Sequence, residues 1–438
     1  MKIAAIFILS LLNSYAPCCI ASSLSEIYQA TRENNPQYAG FDSSVEVSKQ
    51  ELVGARAKFF PTANAFYTLD KENVEYRDVE FRGYSKSFSR GIQVAQKLFS
   101  AENIYAYRAS KQSYEGARYQ RDYNVNLLEE SLIEAYLTSV LQAKIVDVYS
   151  RYEDAYAQAL KITRRQYAGG YAAKVDTAQA ESYYEYIAAQ RLEYASDLDS
   201  SLHKLSRMSG LDLKEVGPFK ESQNFSFVEN RSLLAWYQLA QTHNSKLAYL
   251  ERLIRTSAEK VKSARSARLP EVSLEATYSS VNFEQFSLSN DGRVRCWDKY
   301  VGINVSVPLF SGFLIESNIK TAESQRDLAV SNLEIEVAQI RNDISDYYAY
   351  ISNSSKRLEA SARSVAAAIL SEELIGKGYK IGQRDFTDLA VAIGRRAECE
   401  LQLAYARYNY LVAQVKLIAT TRELGQQDME TISRILSY

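Results

Sequence analysis

The sequence is poor in residues that stop a chain. Its 438 residues include only 6 Pro and 17 Gly, so secondary-structure elements run long before anything breaks them. Net charge is missing too: 52 basic against 53 acidic residues leave −1, which excludes the basic footprint of a nucleic-acid-binding protein. Two His (His203 and His243) and four Cys provide no ligand set at metal spacing, and no glycine loop suits a phosphate. Each His reads as an ordinary polar helix residue. No enzyme, metal or cofactor is expected. Beyond residue 21 no run of about 18 apolar residues occurs, which excludes a membrane-spanning helix.

The apolar run Ile3–Leu12 follows Lys2 and leads to Cys19-Ile20-Ala21. It is too short for a retained span and reads as a secretory signal peptide over 1–21, cleaved after Ala21. A lipid-bearing Cys18 or Cys19 is the other reading of this segment, but Pro17 fits that signal poorly. Cleavage leaves Cys296 and Cys399, one among strands and one in a helix, so no disulfide is expected. The exported chain is then either soluble or inserted as strands.

What the chain does contain is helical periodicity of great length. A stripe recurs at Ile315, Ile319, Ala322, Ala329, Leu333, Val337, Ile340, Ile344, Tyr347, Ile351, Leu358, Ala362, Val365 and Ile369. Its 54 residues take 15 turns, or 3.6 per turn, the period of a relaxed helix, so little supercoiling is expected. A return arm carries Leu389, Ile393, Ala397, Leu401, Ala404, Tyr408, Leu411, Val415 and Ile418. Together they predict a helical hairpin over ~313–420. The outgoing arm, 60-odd residues at ~1.5 Å each, is a rod on the order of 100 Å, and rods this long need neighbours of equal length.

The same order appears earlier. Helices over Leu24–Arg32 and Pro36–Lys58 lead to strands over ~61–70 and ~84–98, with Lys71–Arg82 as a turn-prone patch. A helical hairpin over ~100–209 follows, with Val148, Tyr152, Ala155, Ala159 and Ile162 in its stripe and Gly169-Gly170 at its turn. After a connector (211–228) come helices over Leu233–Arg268, strands over ~270–280 and ~299–308 around Asn290-Asp291-Gly292, and the long hairpin. Pro61 matches Pro270, Leu98-Phe99-Ser100 matches Leu309-Phe310-Ser311, and Asp176 matches Asp388, at offsets of 209, 211 and 212. One unit has been duplicated in tandem, as repeats over 22–210 and 229–421, with a tail, 422–438, that carries no functional reading.

The strands alternate. Val272, Leu274, Val301, Ile303 and Val305 oppose Ser273, Glu275, Asn304 and Ser306. A half-buried soluble sheet is one way to use that pattern. Against it, the strands hold few large core-filling residues, and 8–12 residues is close to the 9–11 that a tilted strand needs to cross a bilayer. Four strands are too few to close a barrel, so several copies must contribute. The fold expected is mainly α, with a transmembrane β part.

This arrangement resembles the TolC family, the outer-membrane channels of efflux and type I secretion systems. The resemblance spans ~24–420 and rests on the duplicated order. Its local marks are Val307-Pro308-Leu309-Phe310-Ser311-Gly312, Tyr379-Lys380-Ile381-Gly382 with Asp388, and Ala404-Tyr405-Ala406-Arg407-Tyr408-Asn409-Tyr410-Leu411. It implies a homotrimer with a 12-stranded barrel in outer-membrane lipid, continuous with a periplasmic α-helical barrel. It also implies two partners: a periplasmic adaptor (membrane fusion) protein and an inner-membrane transporter of RND or ABC type. Conduction would be passive.

The helical turns are the candidate sites. Gly376-x-Gly378-x-x-x-Gly382 joins helix to helix, with Gly382 ending one and Asp385 or Thr387 starting the next. By the resemblance, Tyr379, Arg384 and Asp176 form a latch that closes the periplasmic entrance, and Asp388 matches an entrance Asp repeated about the axis. The family's second Asp is Val391 here, a departure that speaks against strong cation selectivity. Gly169, Gly170 and Tyr171, with Ile381, Gly382 and Gln383, form tips that only another protein, the adaptor, would reach. Val272, Leu274, Val301, Ile303 and Val305 would face lipid. The competing class is an exported coiled-coil scaffold or adhesin with a soluble sheet. Duplicated alternating strand pairs favour the channel.

Overall fold

The computed structural model describes residues 23–76, 81–217, 225–286 and 292–436. The expected signal peptide lies outside them, as do 77–80 of the expected turn, 218–224 of the connector and Asn290-Asp291. The described elements run α1 (Leu24–Asn34), α2 (Pro36–Ala57), β1 (Thr62–Tyr76), β2 (Phe81–Phe99), α3 (Ala101–Ala168) and α4 (Lys174–Ser209). The order then repeats as α5 (Leu233–His243), α6 (Ser245–Ser266), β3 (Glu271–Phe286), β4 (Gly292–Ser306), α7 (Leu314–Lys380) and α8 (Phe386–Thr421). A last helix, α9 (Gln426–Leu436), closes the chain.

The strands outrun their alternation. β1 continues to Tyr76 and β4 begins at Gly292, seven residues before the expected Lys299. Asp70 pairs with Ser87, Lys71 with Lys86 and Glu72 with Ser85. Backbone bonds hold this polar stretch of ladder without any need for an apolar face, which is why patterning missed it.

The chain divides into two compact units. Ala39–Asn124 and His243–Arg341 form the first, with the sheet, α6 and the opening stretches of α3 and α7. Its sheet has the order β1-β2-β3-β4 with every neighbouring pair antiparallel. The two hairpins, one from each repeat, therefore lie edge to edge through β2 and β3. α6 is tied to α3 by Arg252 Nη1 to a Glu115 oxygen at 2.6 Å, and to α7 by Lys246 Nζ to Glu336 at 2.7 Å.

The second unit takes the chain up to Tyr38, Val125–Thr242 and Asn342–Tyr438. Its core gathers Leu24 and Ile27 of α1, Leu132, Ile133 and Leu137 of α3, Leu205 of α4, Leu411 of α8 and Met429 and Ile432 of α9. The tail is thus a core element. Arg422 donates from both Nη atoms to Asp428 at 2.7 Å, and Asp428 also accepts from Gly425 N at 2.9 Å, fixing the approach to α9.

Farther along, α3 touches α4 through Arg191–Glu153 and α8 through Arg151–Glu400 at 2.7 Å, while α8 touches α7 through Arg396–Glu372 at 3.2 Å. The helices stand in the order α4, α3, α8, α7. Here the expected stripe needs correction. α7 turns Ser354, Leu358, Ser361, Val365, Ala368, Glu372, Ile375 and Tyr379 away from solvent, whereas Ala362 and Ile369 are exposed. Spacings alternate 4 and 3, a strict heptad whose 3.5-residue period calls for left-handed supercoiling. One average period over the whole rod hid the change.

Candidate functional site

Both helical turns are built by the same local chemistry. In the first, Gly170 N donates to Tyr167 O at 3.0 Å and Tyr171 N to Gln166 O at 2.8 Å. In the second, Gly382 N donates to Tyr379 O at 3.1 Å and Gln383 N to Gly378 O at 2.9 Å. Each is a Schellman end, which needs a left-handed residue, and Gly170 (φ 78°) and Gly382 (φ 77°) supply it. Tyr171 and Ile381 then stand out, 89% and 69% exposed.

The next helix starts differently in the two repeats. Before α8 the cap is Asp385, whose Oδ1 accepts from Asp388 N at 2.8 Å. That settles Asp385 over Thr387 as the cap. Before α4 the cap position is Ala173, which has no acceptor, and Asp176 reaches back so that its Oδ2 accepts from Ala173 N at 3.0 Å. Asp388 is spared that duty. Its Oδ2 accepts from Arg384 Nη1 at 3.3 Å, between half-exposed side chains. A Cβ at Gly378 would come within 2.9 Å of Arg384 Cγ, so this glycine gives Arg384 the room to lie back over α7.

Tyr379 is buried, 4% exposed, and its hydroxyl lies 2.7 Å from Thr163 Oγ1. Thr163 donates to Ala159 O at 2.8 Å, so Tyr379 donates and Thr163 accepts. Burial raises the Tyr379 pKa and the charge of Asp176 adds to that. Within one chain, then, the expected latch residues bond to separate partners: Tyr379 to Thr163, Arg384 to Asp388, and Asp176 to its own helix start. Val391 is exposed on α8.

Sequence reasoning missed Thr163, and it missed the ion network above the turn. Glu400 accepts from Arg151 at 2.7 Å and from Arg396 at 2.9 Å, while its side chain is 9% exposed. The clue was present: Glu400 falls three residues after Ala397 and four before Ala404, a charge in the apolar phase. A tyrosine stack beside it links Tyr149, Tyr152, Tyr156 and Tyr183, at centroid distances of 6.1, 5.1 and 5.4 Å. The Tyr156 hydroxyl donates to Ala390 O at 2.9 Å.

In the sheet, the register pairs Val305 with Val272, Ile303 with Leu274 and Val301 with Ala276. The expected apolar set therefore shares one face, and Val301, Ile303 and Val305 are exposed there. Ser273, Glu275, Asn304 and Ser306 take the other face and line a cavity of 780 Å³ with Thr62, Lys97 and Glu102.

The comparisons agree with this geometry. The family model described as "Outer membrane efflux protein" matches residues 27–211 and again 236–421. The two matches begin 209 residues apart, which is the duplication read from the sequence. The chain is 24% identical over 422 residues to the alkaline protease secretion protein AprF of Pseudomonas aeruginosa, covering 94% of this chain and 87% of that protein. It is 23% identical over 439 residues to the outer membrane protein TolC of Vibrio cholerae, covering 99% and 98%. The Campylobacter jejuni CmeC outer membrane channel shares the fold, with a TM-score of 0.76 at 14% identity over 95% and 90% of the two chains. Matched over both repeats, the chain belongs to the outer membrane efflux protein family, the family of TolC, and is an outer-membrane channel that extends into the periplasm.

Proposed function

We propose that three copies of this chain form one duct. It would carry cargo passively from a periplasmic adaptor and an inner-membrane pump of RND or ABC type to the exterior. The observation that carries the reading is the sheet. It has an exposed apolar face, a polar concave face and two unpaired edges, β1 and β4. Edges and apolar face are all satisfied when three sheets close into a 12-stranded barrel in lipid. Cargo is drugs, proteins or both; the name of the AprF relative, which refers to alkaline protease secretion, supports protein. The tips at Gly169–Tyr171 and Ile381–Gln383 meet the adaptor.

At rest the periplasmic entrance is held by Asp176, Tyr379 and Arg384, with Asp388 repeated about the axis. Because Arg384 and Asp176 have separate partners within one chain, a latch joining them is a contact between neighbouring copies. It can open cheaply, since an exposed pair contributes only about 0–1 kcal/mol. The test is electrical. Heat-sensitive trimers from the outer-membrane fraction, placed in planar bilayers, should conduct poorly as wild type and several-fold better with Arg384→Ser and Tyr379→Phe combined. Intact trimers with unchanged conductance would overturn the latch, and a soluble monomer would overturn the duct.

A further inference from the structure

The two sheet faces differ in the sign of their charge as well as in polarity. On the face that carries Val301 and Ile303, the register also sets Lys299 opposite Tyr278, Trp297 and Arg90 opposite Ser280, and Arg295 opposite Asn282. Lys71 and Lys86 pair one row farther on. The opposite face holds Asp70, Glu72, Glu271, Glu275 and Asp298, with Lys97 as its cation among the described residues. Cations on an apolar face are costly unless something anionic meets them.

Their place along the strands says where that is. Counted from the strand ends next to the helices (Phe99, Glu271 and Ser306), Lys299 and Tyr278 lie 7 residues in, Arg90 and Trp297 lie 9, and Arg295 lies 11. A tilted strand crosses the hydrocarbon in about 9–11 residues. Arg90 and Arg295 therefore lie at the far limit of such a span and Lys299 two residues short of it, on the side away from the periplasmic helices. Aromatic rings stand among them: Trp297 and Tyr278 stack at 5.4 Å, and Lys299 Nζ lies 5.7 Å from the Tyr278 centroid. Trp297 is 58% exposed. Arg295 Nε donates to Asn282 Oδ1 at 3.1 Å, which orients the guanidinium across the face. Among the described residues, none of Arg90, Arg295 and Lys299 is in a salt bridge.

We propose that Arg90, Arg295 and Lys299, framed by Tyr278 and Trp297, bind the phosphate groups of a phosphorylated glycolipid in the outer leaflet. The rings sit at the headgroup boundary, where amphipathic aromatics are stable. The fork of each Arg suits a phosphate and Lys299 adds a point charge. The proposal rests on the reading that this face meets lipid, and the experiment separates the two.

The full-length chain carrying Trp236→Phe, so that Trp297 is the only tryptophan, is reconstituted in phosphatidylcholine vesicles with brominated acyl chains. Trp297 should be quenched; an unquenched Trp297 overturns the lipid-facing reading and the proposal with it. Diphosphoryl lipid A, its dephosphorylated form and phosphatidylglycerol are then titrated in turn, with Trp297 emission as the readout. Diphosphoryl lipid A should bind about tenfold or more tighter than its dephosphorylated form. The triple variant Arg90→Gln, Arg295→Gln, Lys299→Gln should lose that preference while still assembling. Quenching with no preference for phosphate overturns the proposal and leaves the reading standing. So does a triple variant that assembles and keeps the preference. Equal binding of phosphatidylglycerol overturns the glycolipid assignment. The comparison of the two lipid A forms needs only the three-cation protein, so it stands even if the triple variant does not assemble.

Discussion

The two repeats make one backbone and use it twice for different ends. Their helical turns have the same hydrogen bonds and the same left-handed glycine, yet Tyr379 is buried against Thr163 while Tyr167, 212 positions earlier, is half-exposed. Asp176 is consumed in capping, and Asp388 is released by Asp385 to face Arg384. Duplication has kept what the backbone requires and freed what it does not. Side-chain function then divides between the copies, with the buried phenol and the exposed ion pair both in the second.

The strongest way to break the comparison is at the end of each repeat. The first hands on to a segment that adds Leu213, Val216 and Phe225 to the core; the second hands on to Leu424, Met429, Ile432 and Leu436. Ending the chain after Thr421 removes the second set. At about 1.5–3 kcal/mol for each fully buried side chain, this should cost at least about 5 kcal/mol. Thermal unfolding of the assembled protein would read it as loss of the folded state.

Alkali should find the first repeat before the second. Burial raises the phenols of Tyr28 and Tyr136 to about 12 and pushes Tyr149 and Tyr156 higher still. All four lie in the first repeat. A folded-state pKa above the unfolded value near 10 means stability that is full below pH 10 and lost as pH rises toward the folded value. Tyr28 and Tyr136 should each withdraw on the order of 2–3 kcal/mol by pH 12. Phe at both positions should flatten the decline in unfolding midpoint between pH 10 and 12.

Two smaller tests sharpen the likeness and the difference at the turns. Gly170→Ala and Gly382→Ala each meet open space, so each should cost only the left-handed strain, about 1–2 kcal/mol, and by equal amounts. Tyr379→Phe should cost about 1 kcal/mol, the worth of one buried hydrogen bond. Tyr167→Phe should stay within about 0.5 kcal/mol. Denaturant midpoints would compare all four.

Much of this was legible in the sequence because the elements are long and punctuation is scarce. Pro61 and Pro270 open strands, Gly170 and Gly382 end helices, and the alternation at Val301–Val305 fixes a face. What was not legible depends on partners far away in the chain. Nothing local distinguishes Thr163 from any other mid-helix threonine, since its role is set by a ring 216 positions later. α9 follows a second repeat in place of a connector, so the internal repeat offered no template for it. The heptad in the later part of α7 was averaged into the relaxed period of the earlier part.

One amide joins distant parts of the second unit. The Asn126 side chain donates to Ala419 O at 2.8 Å and accepts from Leu424 N at 2.9 Å, nearly 300 positions away, while α1 shares a core with α9. Folding is slowest where contacts span the most chain, and here the first helix described must wait for the last. A chain exported across the inner membrane has to stay unfolded while it is threaded. The core of the second unit takes residues from α9, so that unit can close only after α9 has followed the other helices through.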